Sequence, residues 1–270
     1  AMVWGCGDRM CRGFVLGGTA GRTTLNGEGL QHQDGHSHIL ASTVPSMLSY
    51  DPAFGFELAV IVRDGMRRMY QEQEDIFYYL TLYNENYAMP DMADVVQRSG
   101  LTEADIAQGI LTGGYCFDAA QPTADVHLLA SGSLMQQAIQ AKKSLEQRGL
   151  SVSLWSITSF VELQRDALAT AQINRDNPQA PAQVSVIEKL FGEASGAIIA
   201  VTDYMASLAQ GVAAWMPEGY EVLGTDGFGL SESRPALRAH FGVDADTIVR
   251  ASLANLYRQG LIDGEQLNRP

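Results

Sequence analysis

Cysteine is scarce in this 270-residue chain: only Cys6, Cys11 and Cys116, with no Cys-x-x-Cys pair. An odd, widely spaced set argues against a disulfide framework and fits a reducing, cytoplasmic compartment. Basic residues are also short, 18 Lys and Arg against 31 Asp and Glu, for a formal charge of −13. Nucleic acid and anionic membrane surfaces would be repelled, so neither is expected as a partner. No apolar run approaches the roughly 18 residues of a membrane helix, and residues 1–13 lack the basic-then-apolar order of a signal peptide. Internal repeats and low-complexity tracts are missing too. What is present is ordinary globular material, 46% hydrophobic and 18% charged, enough for one large domain or two modest ones.

The opening AMVWGCGDRMCRGFVLGGTAGR reads as strand-like and Gly-rich, without a helix start, as in a chain entered mid-domain. Residues 14–18 suit a buried strand. Residues 19–49 are rich in Gly, Thr, Asn, His and Ser without sustained periodicity, the text of a long functional loop. Asp51-Pro52 then offers an N-cap and a first-turn proline for an amphipathic helix on Phe54, Leu58, Ile61, Val62, Met66 and Met69. Its Met and aromatic stripe, running to Tyr70, reads by default as core packing. Residues 76–82, aromatic and β-branched, read as a buried strand.

Residues 89–122 are mixed and acidic, punctuated by Gly and Pro, with one short helix expected at 102–108. They read as a linker between a first domain, 1–88, and a second, 123–270. In the second, a strand at 126–130, a helix at 134–148 closing on Gly149 and a strand at 152–157 make a βαβ unit. A strand at 197–201, a helix at 204–215, a strand at 220–223, a helix starting at Pro235 and another from Asp244 or Asp246 continue the alternation. The fold class expected is α/β, with largely parallel sheets and right-handed crossovers.

Residues 26–38 hold three of the chain's five histidines. His32, Asp34, His36 and His38 could close on a metal, although Gly27, Gly29 and Gly35 speak against a helix presenting them. Alternatively, one imidazole acts as a general acid or hydrogen-bond donor to an anionic substrate. In a third reading the histidines bond loop backbone while the glycines supply positive φ. Elsewhere, Asn84-Glu85-Asn86-Tyr87 at a strand end reads as a solvated turn before a ligand contact, and Ser131-Gly132-Ser133 as helix capping before an anion site.

The string GRTTLNGEGLQHQDGHSHI at 21–39 resembles a highly specific segment of the homodimeric, single-chain pyruvate dehydrogenases. The likeness continues through SYDPAFGFELAVIVRDGMRRMY, YNENYAMP, the Ser131–Ser133 loop, SITSF and VTDY. The closing VLGTDGFGLSESRPALRAHFGVDA is also similar to the C-terminal domain of transketolase-type enzymes. The resemblance implies the end of a thiamine-diphosphate pyrimidine-binding domain, then a transketolase C-terminal-like domain. It implies an enzyme that decarboxylates pyruvate on thiamine diphosphate with magnesium and passes the acetyl unit to a lipoyl group. The implied partners are a second copy of the enzyme and a lipoyl-bearing dihydrolipoamide acetyltransferase.

By the same resemblance His32 falls on the active-site histidine of GEGLQH, Glu28 supports neighbouring contacts, and Asp34, His36 and His38 stand behind them or at a subunit interface. The family's diphosphate and magnesium motif, GDG followed later by Asn, does not occur, and Gly224-Thr225-Asp226-Gly227 reads as a turn. The cofactor-activating glutamate belongs to an upstream region. No cofactor-binding or metal-binding residue is therefore assigned, and the chain is expected to be a C-terminal fragment inactive alone. Two alternatives remain open: one chain of a split 2-oxo acid dehydrogenase or transketolase-like enzyme, and a non-catalytic or His-cluster metal-binding α/β protein.

Overall fold

The computed structural model describes residues 2–267. Its first part holds α1 (Met2–Asp8), β1 (Phe14–Gly17), α2 (Ser37–Ser42), β2 (Met47–Tyr50), α3 (Gly55–Met66) and β3 (Phe77–Thr81). Then come α4 (Met92–Ser99), α5 (Glu103–Thr112), β4 (Tyr115–Asp118), β5 (Val126–Ala130), α6 (Met135–Gln147), β6 (Val152–Ser156) and α7 (Phe160–Asp176). The chain continues through α8 (Val186–Phe191), β7 (Ala197–Val201), α9 (Ala206–Gln210), β8 (Tyr220–Leu223), α10 (Arg234–Phe241), α11 (Ala245–Arg258) and α12 (Gly264–Leu267).

The strands form a three-stranded sheet, β1-β3-β2, and a five-stranded one, β4-β6-β5-β7-β8. Every ladder is parallel except β4 on β6, so the α/β class holds with one antiparallel edge strand. The central strands β5 (VHLLA) and β7 (AIIAV) are short, nearly continuous apolar runs, as strands covered on both faces require. Helices α6 and α11 pack on one face. Phe160, Leu163, Ile187, Phe191 and Leu208, from α7, α8 and α9, cover the other together with Leu129 and Ile198. The first core runs on without a break through Phe117, Ile106 and Ile110 to Phe54, Ile61 and Tyr50, so the two sheets share it. Each fully buried Leu in it, such as Leu128 or Leu154, contributes about 2 kcal/mol of apolar transfer.

Several elements depart from the sequence reading. Residues 2–8 are helical and mostly exposed rather than strand-like. The expected long loop contains α2 and the wholly buried strand β2, which pairs with β3 thirty residues on, Met47 beside Phe77. Four residues without alternation carry no local strand signal; the distant partner supplies it. Residues 89–122 hold α4, α5 and β4. Their caps are conventional: Asp91 accepts from the Asp94 N–H, Thr102 from that of Asp105, and Gly100 and Gly113 end the helices in left-handed conformation. The helix expected at 204–215 is only α9 and a single 3-10 turn at Ala213–Trp215. Among the described residues no helix is long and apolar enough to cross a membrane.

Candidate active site at the junction of the two sheets

The C-terminal ends of β2, β3, β5 and β7 converge, and the irregular loop after β1 lies across them. Ligand sites of parallel α/β sheets gather at such strand ends. Asp203, just past β7, is fully buried. Its Oδ1 accepts from the Thr23 N–H at 2.9 Å and the Thr23 hydroxyl at 2.7 Å. Its Oδ2 accepts from the Thr24 N–H at 3.1 Å and the Thr24 hydroxyl at 2.7 Å. Burial pushes the Asp203 carboxyl up to about 6, against the hydrogen bonds of Thr24 and Thr23 and the charge of Arg238. The Thr24 and Ser133 hydroxyls meet at 2.5 Å, and the Ser131 hydroxyl donates to Thr202 at 3.3 Å. Neither serine serves the expected cap: Ser131 makes no side-chain cap bond and reaches Thr202 past β7 instead, while Ser133 reaches Thr24 of the loop.

Asp51 follows β2. Its Oδ1 accepts from the Thr81 hydroxyl at 2.6 Å and from the Tyr83 phenol, while its buried Oδ2 has no partner. It therefore does not cap α3 as the Asp51-Pro52 reading expected. Buried Glu57 takes that place, accepting from the Ala53 N–H at 2.6 Å and the Phe54 N–H at 3.1 Å. Its other oxygen accepts from Tyr115 at 2.7 Å and Ser156 at 2.6 Å, across to the second sheet. Burial raises the Glu57 pKa despite these bonds. Gly132 has φ of 51° and presses on the Tyr83 phenol, where a Cβ could not fit.

The histidines fall in different environments. His32 and Glu28 are solvent-facing, 56% and 55% exposed at the side chain, with His32 Nε2 4.0 Å from Glu28 Oε2. His36 is exposed too, while Asp34 accepts the His36 and Ser37 N–H groups, both at 3.0 Å, at the start of α2. His38 is buried between the Tyr79 and Tyr204 rings, with Nδ1 2.5 Å from Ser49 Oγ and Nε2 3.2 Å from Thr81 Oγ1. Burial lowers its pKa, favouring the neutral ring. The four residues weighed as metal ligands are thus not brought together. Among the described residues no group of three or more His, Cys, Asp or Glu could hold a metal ion.

The outer limb of the loop is held by the second unit. Gln33 donates to Leu25 O and accepts from the Leu230 N–H, both at 2.8 Å. The Gly27 N–H donates to Glu232 O at 3.1 Å, the Ser231 hydroxyl to Gly27 O at 3.1 Å, and Arg234 to Thr24 O at 2.6 Å. The 84–87 segment is tied down at two residues while Asn84 and Asn86 stay exposed: Glu85 pairs with both Nη atoms of Arg238, and Tyr87 donates to Ala53 O at 2.6 Å. Asp226 of the 224–227 string accepts from the Ala206 N–H at 3.2 Å, a tertiary tie to the start of α9 rather than a local turn bond.

A diphosphate with its metal does not fit the residues present. The nearest buried cation is Arg22, whose Nε and Nη1 lack partners, but Asp34, Asp203 and Asp226 surround it and would repel an anion. Sequence reasoning passed over Asp51, Asp203, Thr23, Thr24 and Glu57 as site residues. The only sign of Asp203 was the VTDY string, and Asp51 carried a cap signal.

A family model described as the pyruvate dehydrogenase E1 component middle domain matches residues 1–90, and one for the transketolase-like C-terminal domain matches residues 113–244. The pyruvate dehydrogenase E1 component of Pseudomonas aeruginosa is 45% identical over 97% of this chain and 29% of its own length. That of Escherichia coli (strain K12) is 44% identical over 97% and 29%, and that of Mycobacterium tuberculosis 43% identical over 96% and 27%. The chain thus spans under a third of these relatives. Among solved structures, transketolase from Leishmania mexicana aligns with a TM-score of 0.64 at 18% identity, over 92% of this chain and 30% of that one. A split gene transketolase described as an inactive beta4 tetramer aligns at 0.58 and 16% identity, over 90% of this chain and 67% of that one. These structures share the transketolase-like fold. With two consecutive family matches and such relatives along nearly its whole length, the chain belongs to the pyruvate dehydrogenase E1 component family of enzymes.

Proposed function

We propose that this chain contributes the His32 loop and its scaffold to a pyruvate dehydrogenase E1 active site whose diphosphate- and metal-holding residues come from outside it. The whole enzyme would decarboxylate pyruvate on thiamine diphosphate with magnesium and reductively acetylate a lipoyl group. It would work in the cytoplasm as a homodimer with a lipoyl-bearing dihydrolipoamide acetyltransferase. The chain would consist of a pyrimidine-binding portion at 1–88, a connecting segment at 89–122 and a transketolase C-terminal-like portion at 123–270; the family matches at 1–90 and 113–244 support two such portions, with β4 already paired into the second.

One observation carries the reading. His32 projects from a loop tied at its base and outer limb while its imidazole stays open to solvent, with Glu28 as its acidic neighbour at 4.0 Å. Such an imidazole can donate a hydrogen bond or a proton to an anionic 2-oxo acid. Glu28 can help orient the ring. The absence of a fitting diphosphate site in these residues predicts that the chain alone is inactive.

Calorimetric titration with thiamine diphosphate and magnesium tests this, on the chain alone and mixed with the N-terminal portion of a relative. Binding and pyruvate decarboxylation are expected only in the mixture, with activity falling about 100-fold or more on His32→Ala. Tight binding by the chain alone would refute the fragment reading. The split-gene transketolase chain, which aligns over 90% of this chain and 67% of its own length, favours one variant of it, in which a separate natural chain supplies the missing portion. Co-purification of such a chain would decide for that variant.

A further inference from the structure

We infer that Asp203 is a positioning residue: its carboxylate at the end of β7 fixes the main chain of residues 21–24 and so sets where the His32 limb of the loop stands. The inference rests on the proposed role of His32. A carboxylate offers about four lone-pair sites, and the two threonines occupy all four through N–H and hydroxyl donors at 2.7–3.1 Å. The Arg22 N–H adds a bond at 3.2 Å to the Asp203 main-chain carbonyl. Gly21, with φ of 86°, lies so close that a Cβ there would overlap the carboxylate.

The loop leaves β1 of the first sheet, yet the groups that anchor it belong to the second unit: Asp203, Ser133, Leu230, Glu232 and Arg234. Residues 18–36 contain no helix or strand, so they have no regular backbone ladder to hold them. The clamp at 21–24 therefore determines the direction in which the next eight residues, ending at His32, set out. Asp203 touches no reacting atom; it acts through the loop.

The test uses the full-length enzyme with its cofactor and compares Asp203→Asn, Gly21→Ala and Thr24→Val with the parent. The Asn amide matches the carboxylate in shape but sets two donors against threonine donors. Gly21→Ala displaces the same backbone from the other side. We expect amide hydrogen exchange across 21–36 to accelerate about tenfold or more, with β5 and β7 protection unchanged. We expect kcat to fall about 100-fold, as for a misplaced catalytic group, with KM moving far less.

Unchanged loop exchange in all three variants would overturn the inference. So would a lowered melting temperature with parental kcat per folded molecule. Should Asp203→Asn fail to fold, Thr24→Val and Gly21→Ala decide by the same readouts. His32→Ala separates the two readings. If it abolishes activity while the Asp203 set stays fully active, the positioning role fails and the His32 role stands. If it leaves activity intact, the His32 role fails, and loop exchange alone decides whether Asp203 holds the loop.

Discussion

Asp203 is pulled in opposite directions. Burial disfavours its charge, and four donors favour it; burial wins, since the pKa sits at about 6 rather than 3.8. The folded state therefore takes up a proton at a pH where the unfolded chain has lost its own. The stability this group contributes is full below the unfolded pKa and is lost as pH rises through about 6. Two pKa units correspond to up to about 3 kcal/mol. Buried His38 works the other way: its depressed pKa contributes stability above about 6.5 that is lost as pH falls. Comparing urea midpoints of the parent and Asp203→Asn between about pH 4 and 7 isolates the Asp203 part. The stability difference should move in favour of the variant as pH rises, and parallel curves would rule out this assignment.

At the scale of elements, the start of α3 shows how a local cap can become a tertiary fastening. Glu57 satisfies the Ala53 and Phe54 N–H groups and also receives Tyr115 from β4 and Ser156 from β6. Glu57→Ala would leave four buried donors without an acceptor and should cost about 2–4 kcal/mol, read as a lower denaturant midpoint; a loss under about 1 kcal/mol would show that water replaces the carboxylate. The sequence reading placed this helix but gave its cap to Asp51, because Asp-Pro is a good local start signal. It could not register that Thr81 and Tyr83 claim the Asp51 oxygen first. The central strands β5 and β7 were open to such reading because their signals lie within a few residues, whereas α4, whose Asp91 and Gly100 caps are equally local, was passed over inside a segment taken as a linker.

At the scale of the whole molecule, the two sheets are joined by a shared core and by few but buried polar bonds. Glu85, beyond β3, meets Arg238 of α10, whose side chain is only 6% exposed. Glu85→Ala should leave that guanidinium buried without its hydrogen-bonded carboxylate, with only the more distant charge of Asp203 to offset it, at a cost of about 3 kcal/mol. Calorimetry should show one cooperative transition for the parent and a clearly lower one for the variant. An unchanged transition would mean that the apolar core alone joins the units. The exposed residues Val15, Leu16 and Leu40 around the edge strand β1 play no part in this junction.

By itself the sequence determined the α/β alternation, the buried central strands, the ends of α6 and the starts of α10 and α11, and, through one long motif, the family and the loop that bears His32. These rest on spacing of two to four residues or on an unbroken string, both of which survive in one dimension. Tertiary structure alone decided that His38 is a core residue while His32 and His36 face solvent, that β2 is a strand, and that Asp51, Glu57 and Asp203 are buried acceptors. Each of those outcomes depends on which distant donors reach a side chain first, for example Thr23 and Thr24 bonding Asp203 across 180 and 179 residues, and chain order does not encode that competition.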